Sequence, residues 1–304
     1  MVGLAELDQW QRRHPLVGFP FAVVKRYGED HGGWLGAIVT YYGFFALAPL
    51  LVVVTTLASI IFDEPSRRER LYDAISELLP FVGADMEQRL APVVGNPIAV
   101  LAGVLIALWG GLNVMRITQD TMNRMWGVPR YQRPGFIRAL ARGVGLLALM
   151  GLGLLSTAVV TGLTLGQRLP ALAAVSTGLL SCAVNTSIAV FLFRLLVSRS
   201  LSTRDVLPGA LLVGLATYAL TLAGGIYVQR VVAHASSLYG SFATMVGLFA
   251  WIALLVQTTV YGTLVNVVRV EQLWPRSLTG EQLGDGDRRA AALTANRAAL
   301  IAPG

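Results

Sequence analysis

The sequence predicts an all-α polytopic membrane protein with six transmembrane helices, an amphipathic extracytoplasmic helical cap and an N-terminal interfacial helix. Of its 304 residues, 55% are hydrophobic and only 13% are charged, whereas about 25% of the residues in a soluble domain carry charge. The apolar residues form long runs, and arginine-rich segments separate several of them. Both observations favour a chain that lies mostly within a bilayer.

The clearest predicted span is the uncharged run of residues 35–62. A helix of that length is roughly 42 Å long at about 1.5 Å per residue, and the hydrocarbon core of a bilayer is about 30 Å thick. Pro49 lies near the middle of the run and would end a helix in water. In lipid the backbone must keep its hydrogen bonds internal. We therefore predict one continuous helix with Pro49 as its hinge.

Five further apolar runs complete the predicted transmembrane domain, which covers residues 35–268. Their approximate bounds are 97–115, 143–165, 170–197, 206–228 and 241–268. The helix of the second span is expected to continue to Trp126, because Gly127 and Pro129 follow. Residues 269–304 are polar and then rich in alanine, which indicates a partly disordered cytoplasmic tail.

Two segments outside the spans are predicted to be amphipathic helices. Within the N-terminal segment 1–34, the apolar stretch from Pro15 to Tyr27 is too short to cross a bilayer and contains Lys25 and Arg26, which favours a helix in the membrane interface. Residues 63–96 contain 7 of the 17 acidic residues. Their leucine and isoleucine residues recur at helical spacing. We interpret this segment as the outer cap, and a plain lid without chemistry is its default role.

The distribution of positive charge predicts the orientation. With both termini placed in the cytoplasm, 18 of the 24 lysine and arginine residues fall in cytoplasmic segments, as the positive-inside rule requires. Six spans fit this count, and a layout with five spans or a re-entrant segment stays open. This topology also accounts for the net charge of +7 better than binding to nucleic acid does, so no nucleic-acid partner is expected.

No residue pattern in the sequence indicates an enzyme. The three histidines, His14, His31 and His234, are scattered along the chain, whereas a metal hydrolase or nuclease needs clustered ligands. Neither a phosphate-binding loop nor a nucleophile elbow is present. Cys182 is the single cysteine, so no internal disulfide can form. We predict no catalytic residue, no metal site and no cofactor.

Uncharged polar residues within the spans are the main candidates for function. Such side chains are costly in lipid and face the bundle interior, a cavity or one another. They either join helices by hydrogen bonds or line a path for a substrate, and both interpretations stay open. The candidates are Tyr41, Tyr42, Asn113, Asn185, Tyr218, Gln257, Tyr261 and Asn266.

Two arginines near span ends could bind an anionic headgroup. Arg116 precedes the part of its helix that is expected to leave the membrane, although Asp120 could neutralise it as an i,i+4 partner. Arg194 could equally extend its charge to the interface without binding anything. No acidic residue lies within the six spans as drawn, which disfavours ion-coupled transport.

Three blocks resemble the YihY/BrkB family of bacterial inner-membrane proteins, and within it the YhjD-like branch. They are Tyr41-Tyr42-Gly43-Phe44-Phe45-Ala46-Leu47-Ala48-Pro49-Leu50-Leu51, Asn123-Arg124-Met125-Trp126, and the stretch from Tyr239-Gly240-Ser241 through Trp251 to Gly262 and Asn266. The likeness as a whole covers about residues 15–270. Two positions depart from the family pattern: Ala46 corresponds to a serine, and Leu264 corresponds to a residue that is often acidic.

The resemblance implies a six-helix fold but only a thin functional assignment. Members were long labelled as a transfer-RNA-processing ribonuclease, a label regarded as mistaken, and others are linked to serum resistance or to export of lipid-type molecules. Our leading hypothesis is an inner-membrane protein that binds or moves a lipid or amphiphile for the cell envelope. The alternatives are a scaffold that docks an envelope protein partner and, disfavoured, a ribonuclease. The sequence does not give the oligomeric state.

Overall fold

The computed structural model of the chain describes residues 3–61, 97–133, 135, 141, 171–227, 237–278, 280 and 283–298. Over these residues all regular secondary structure is helical and no β-strand is present, which confirms the all-α prediction for the described part of the chain. The α-helices there are α1 (Leu4–Arg13), α2 (Pro15–Glu29), α3 (Gly32–Ile61), α4 (Pro97–Met125), α5 (Ala171–Leu196), α6 (Thr203–Tyr227), α7 (Ser237–Val270) and α8 (Asp285–Ala298).

The five long helices, α3 to α7, coincide with five of the six predicted apolar runs. α3 continues through Pro49, as the need for internal backbone hydrogen bonds in lipid predicts. The remaining predicted span, 143–165, and the predicted outer cap, 63–96, lie outside the described residues. The six-span layout therefore stays a prediction.

The end of α4 follows from its local sequence. The helix stops at Met125, one residue before the predicted end, and Gly127 adopts a φ of 66°. This left-handed conformation costs little only for glycine. The space is also restricted, because a Cβ at Gly127 would lie 2.4 Å from the side chain of Leu293 in α8.

The outer faces of the long helices are apolar and exposed. Three segments are long and apolar enough to cross a membrane: Gly178–Leu196, Thr203–Gly224 and Met245–Val270. Only 28% of each is buried inside the protein, and on α4 the side chain of Trp109 is 70% exposed. Such continuous apolar surface is typical of a protein that lipid covers.

One end of the bundle is polar, and we call it the polar end. α3 and α6 begin there, and α4, α5 and α7 end there. The carboxamide oxygen of Asn123 accepts a hydrogen bond from the Ser198 amide at 2.7 Å, and Arg269 donates to the carbonyl oxygen of Arg204 at 2.8 Å. The apolar core lies near this end. Its largest fully buried members include Trp126, Phe193, Met122, Met125, Leu196, Leu264, Val206 and Val267.

The two ends of the chain pack against each other at the polar end. Arg26 of α2 is fully buried and forms an ion pair with Asp30 at 2.8 Å. Its guanidinium group also donates to the carbonyl oxygen of Ala290 at 3.3 Å and to the hydroxyl group of Thr294 at 3.1 Å. Both acceptors belong to α8, so α2 fixes the last described helix in place.

A second buried cluster, which we call the tail clamp, contains Lys25, Arg276 and Asp287. The Asp287 carboxylate lies 2.7 Å from Arg276 Nε and 3.1 Å from Lys25 Nζ. Its other oxygen accepts hydrogen bonds from the amides of Ser277 and Gly284. The sequence led us to expect a partly disordered tail and gave no sign that residues 283–298 pack in this way.

Candidate functional site

A cleft of about 600 Å³ opens between the start of α3 and the second half of α4 at the polar end. We call it the basic cleft. Three of its lining residues come from α3 and eight from α4, and one comes from the loop that follows α4. They are Trp34, Leu35, Ile38, Asn113, Arg116, Ile117, Gln119, Asp120, Thr121, Asn123, Arg124 and Arg133.

Helical periodicity explains why polar groups line one wall. Asn113, Arg116, Asp120 and Arg124 are spaced by three or four residues, so their side chains project from the same face of α4. The wall from α3 is apolar, since Trp34, Leu35 and Ile38 form it. The cleft is therefore amphipathic, with charge on one side and hydrocarbon surface on the other.

An ion pair between Asp120 and Arg133 crosses from α4 to the loop. Arg133 is held in place because it also donates to the carbonyl oxygen of Val128 through Nε at 3.2 Å and through a terminal nitrogen at 3.1 Å. Burial lowers the pKa of Arg133. The Asp120 carboxylate opposes that shift, and the like charges of Arg130 and Arg124 reinforce it. Among the described residues that line the cleft, three arginines thus accompany one carboxylate, that of Asp120.

Asn123 lines the cleft but has a structural role. Its side chain is 2% exposed, its amide nitrogen donates to the carbonyl oxygen of Gln119 at 2.7 Å, and its oxygen accepts from Ser198. Because Ser198 follows the end of α5, this residue fastens α4 to α5. Within the Asn-Arg-Met-Trp block, Met125 and Trp126 are core residues, so Arg124 is the member that offers a charge to the cleft.

Of the residues predicted to bind a ligand, the structure brings Asn113 and Arg116 together in the basic cleft. Arg194 lies elsewhere, where its Nε donates to the carbonyl oxygen of Leu201 at 3.1 Å. Sequence reasoning did not single out Arg124, which lies two helical turns after Arg116. It also did not single out Arg133, because a loop residue's position cannot be inferred from helical spacing.

Several other polar candidates join helices. Gln257 of α7 accepts a hydrogen bond from the Tyr27 hydroxyl group at 2.9 Å. Tyr261, one turn further along α7, stacks on the Tyr27 ring with centroids 4.6 Å apart. These contacts fasten α2 to α7. Gln257 also packs over Gly36 of α3, where a Cβ would lie 2.5 Å from its amide nitrogen.

The remaining candidates lie on other parts of the bundle. Asn266 accepts a hydrogen bond from the Gly209 amide at 2.7 Å, and Tyr218 covers Gly178. Asn185 donates to a carbonyl oxygen of its own helix at 3.0 Å. Tyr41 and Tyr42 are 54% and 40% exposed on α3. The structure therefore does not collect the eight candidates into one path.

Among the residues that the structure describes, no three His, Cys, Asp or Glu side chains lie close enough together to hold a metal ion.

The long apolar helices, their exposed outer faces and the polar end define a helical membrane protein. The family model described as "Virulence factor BrkB" matches residues 23–282, so the chain belongs to the BrkB family, also called YihY. This confirms the resemblance drawn from the three sequence blocks.

Two curated relatives are similar to this chain. It is 22% identical over 148 residues to the inner membrane protein YhjD of Escherichia coli (strain K12), a match that covers 46% of this chain and 44% of that protein. It is 27% identical over 246 residues to a UPF0761 membrane protein of Alkalilimnicola ehrlichii, covering 78% and 55% respectively. The chain thus spans about half the length of the curated relatives it matches. No solved structure matches it.

Proposed function

We propose that this protein binds or translocates a lipid or another amphiphile for the cell envelope. The amphipathic character of the basic cleft carries the proposal. Trp34, Leu35 and Ile38 offer an apolar wall to an acyl chain, while Arg116 and Arg124 face it from α4. Arginine is well suited to the oxygens of a phosphate or carboxylate headgroup, because it can donate two parallel hydrogen bonds.

The same proposal places the chain in the bacterial inner membrane with six spans and both termini in the cytoplasm. The arginines grouped at the polar end support this orientation, since cytoplasmic segments carry the excess of positive charge. In this orientation the cleft opens at the cytoplasmic leaflet. Trp34, 61% exposed, supports that placement, because tryptophan is enriched at membrane–water interfaces. Tags on the two ends that were found on opposite sides of the membrane would contradict this layout.

The proposed lipid-binding function includes no enzymatic reaction, no cofactor and no nucleic-acid partner. Its direct partners are membrane lipids. The binding energy comes from burial of apolar chain surface and from charge-assisted hydrogen bonds to the headgroup.

Reconstitution of the full chain tests the proposal. The protein is placed in liposomes that contain fluorescent analogues of each envelope lipid class, and both flip-flop and retention of lipid on the purified protein are measured. We expect acceleration or near-stoichiometric retention for at least one class. The double variant Arg116→Gln/Arg124→Gln should reduce it about tenfold or more, because hydrogen bonds to charged groups contribute about 1.5–3 kcal/mol each.

A matched control removes the same number of positive charges from sites outside the cleft. Arg13→Gln/Arg288→Gln removes two positive charges from exposed sites on α1 and α8, outside the cleft, and should leave lipid binding unchanged. If no lipid class is bound or moved by the wild-type protein, the proposal fails.

A second candidate function is a scaffold that docks an envelope protein. It is favoured by the contacts of Gln257, Tyr261, Tyr218 and Asn266, which join helices and need no substrate to explain them. Crosslinking in native membranes distinguishes the two. A stoichiometric protein partner, lost when residues 66–94 are deleted and accompanied by no lipid binding, would favour the scaffold.

A further inference from the structure

The C-terminal helix α8 packs against the turn that leads from α4 into the loop of the basic cleft. The side chain of Leu293 lies over Gly127, where a Cβ would come within 2.4 Å of it. Trp126 and Val128, on either side of Gly127, are 2% and 4% exposed, and Leu293 packs against the apolar cluster to which both belong. α8 thus covers the residues at which the chain leaves α4.

The covered turn holds the loop residue of the cleft in place. The carbonyl oxygen of Val128 accepts two hydrogen bonds from the guanidinium group of Arg133, at 3.2 and 3.1 Å. The same guanidinium group pairs with Asp120, which lines the cleft. The amide of Val128 donates to the carbonyl oxygen of Asn123 at 2.9 Å, so the turn is also fixed to α4. A continuous series of contacts therefore joins Leu293 of α8 to Asp120 in the cleft.

α8 is the member of this series that is most easily released. It has 14 residues, and a helix of this length is marginal in water on its own, so it depends on its docked contacts. Several of these contacts are polar: Arg26 donates to Ala290 and Thr294, and Asp287 belongs to the tail clamp. Among the α8 side chains that the structure describes, Ala290 is the one buried apolar group and Leu293 is half-buried. We therefore expect α8 to open at a lower free energy than the long helices do.

We propose that docked α8 positions the loop side of the basic cleft, and that release of α8 is a conformational control on ligand binding there. The effect on binding rests on the proposed lipid-binding function, whereas the connection from α8 to the cleft rests on the contacts described above. When α8 detaches, Trp126 and Val128 lose their cover, and Arg133 is no longer held beside Asp120. A ligand that prefers the docked form must in turn stabilise the docking of α8 by the same factor.

The first experiment tests the connection without an added ligand. The full chain is held in nanodiscs of phosphatidylcholine, and amide hydrogen exchange is followed in α8 and at Val128, Gln132 and Arg133, whose amides are hydrogen-bonded. The variant is Asp287→Asn, because the tail clamp holds α8 and Asp287 lies in that clamp. We expect exchange to rise about tenfold or more at the three amides as well as in α8, since the turn opens when α8 does.

Two further variants control this experiment. Asp285→Asn removes an exposed acid from the first turn of the same helix and should leave exchange at the three amides unchanged. Leu293→Ala shortens the side chain that covers Gly127 and should raise exchange at Val128 even though the tail clamp is intact. Faster exchange in α8 without any change at Val128, Gln132 and Arg133 would overturn the proposal, because α8 would then open independently of the cleft.

The second experiment measures the reverse effect, from the cleft to α8. Phosphatidylglycerol is added to the nanodiscs as an anionic lipid probe, and exchange of residues 285–298 is compared with and without it. None of the residues that line the cleft belongs to α8, yet we expect bound phosphatidylglycerol to slow exchange in α8 about tenfold. In Arg133→Gln the series of contacts is broken, so the bound lipid should no longer protect α8.

The failures of the two proposals are distinguishable. If phosphatidylglycerol binds but leaves exchange in α8 unchanged, or protects α8 equally in the wild-type protein and in Arg133→Gln, the positioning role of α8 is overturned while lipid binding stands. If phosphatidylglycerol does not bind, the result counts against the proposed function. Exchange at Val128, Gln132 and Arg133 in the Asp287→Asn variant then decides whether α8 positions the cleft.

Discussion

Asp287→Asn should release the C-terminal helix from the rest of the protein. The Asp287 side chain is 4% exposed and is the common anion of Arg276 and Lys25 in the tail clamp. Asparagine keeps the size and one acceptor oxygen but removes the charge. Arg276, 3% exposed, is then left without the carboxylate at its Nε. Removing one partner of a buried ion pair costs about 3–5 kcal/mol.

The pKa of Asp287 gives a second measure of the same interaction. Burial alone would raise this pKa, but hydrogen bonds from Arg276, the Ser277 amide and Lys25 outweigh it and lower the pKa from 3.8 to about 2. Each pKa unit corresponds to about 1.4 kcal/mol, so the charged form contributes about 2 kcal/mol of stability. Because the folded pKa is depressed, this stability is present above about pH 4 and is lost as the pH falls from about 4 to about 2.

Trypsin cleavage at Arg288 and Arg289 is the assay. These bonds lie within α8, so cleavage requires that the helix detach and unfold locally. A loss of about 3 kcal/mol raises the open population, and with it the cleavage rate, roughly 100-fold. Asp285→Asn is the matched control, since Asp285 is an exposed acid in the first turn of the same helix. It should change the rate less than about threefold.

The outcome that would refute this reasoning is equal cleavage of the two variants. A further check uses amide hydrogen exchange of residues 285–298 between pH 4 and pH 2. The wild-type protein should lose protection over that interval relative to the Asp287→Asn variant, which has no carboxylate to protonate at this position. Parallel profiles for the two proteins would show that Asp287 does not hold the helix.

Two substitutions test the helix contacts. Gly209→Ala places a Cβ 1.9 Å from the carbonyl oxygen of Gly262, so α6 and α7 must separate. The thermal unfolding midpoint should then fall by several degrees, as expected for overpacking that costs about 1–3 kcal/mol. The control Gly28→Ala has nothing within 4 Å of the added Cβ and should not lower the midpoint, and equal midpoints for the two variants would contradict the close approach of α6 and α7. Tyr27→Phe removes the hydrogen bond to Gln257 and should lower the free energy of unfolding in chemical denaturation by about 1 kcal/mol. An unchanged free energy of unfolding would show that this hydrogen bond contributes no net stability.

Sequence reasoning identified the features that local pattern and lipid dictate. A long run without charge must become a helix in a bilayer, since no other single-segment structure satisfies its backbone, and the helices that contain Pro49 and Trp109 follow this rule. The polar face of α4 was visible in part, because Asn113 and Arg116 share helical spacing. The helices and helix faces that are set by residues close together in the sequence were therefore predictable.

The contacts that depend on tertiary packing were not predictable in the same way. The tail clamp joins Lys25 to Asp287, which are 262 residues apart, and neither residue lies in a pattern that names its partner. Arg133 reaches the basic cleft because its loop folds back on Val128 and Asp120. Spacing along a helix does not predict that a loop folds back in this way, so the residues that line the cleft could be identified only in the folded chain.

Asn266 shows why a polar residue in an apolar helix needs a structural explanation before a functional one. Pro208 lies inside α6, and because proline has no backbone N–H, the carbonyl oxygen of Arg204 four residues earlier loses its usual helical donor. Arg269 of α7 donates to that oxygen at 2.8 Å, and Asn266, one turn before it, accepts from the amide of Gly209 at 2.7 Å. The two α7 side chains thus serve the backbone beside the proline. The Gly209 amide and the Asn266 side chain are buried, and a buried amide left without an acceptor is costly. This helix pairing is therefore sufficient reason for Asn266, and the case for a ligand rests on the basic cleft.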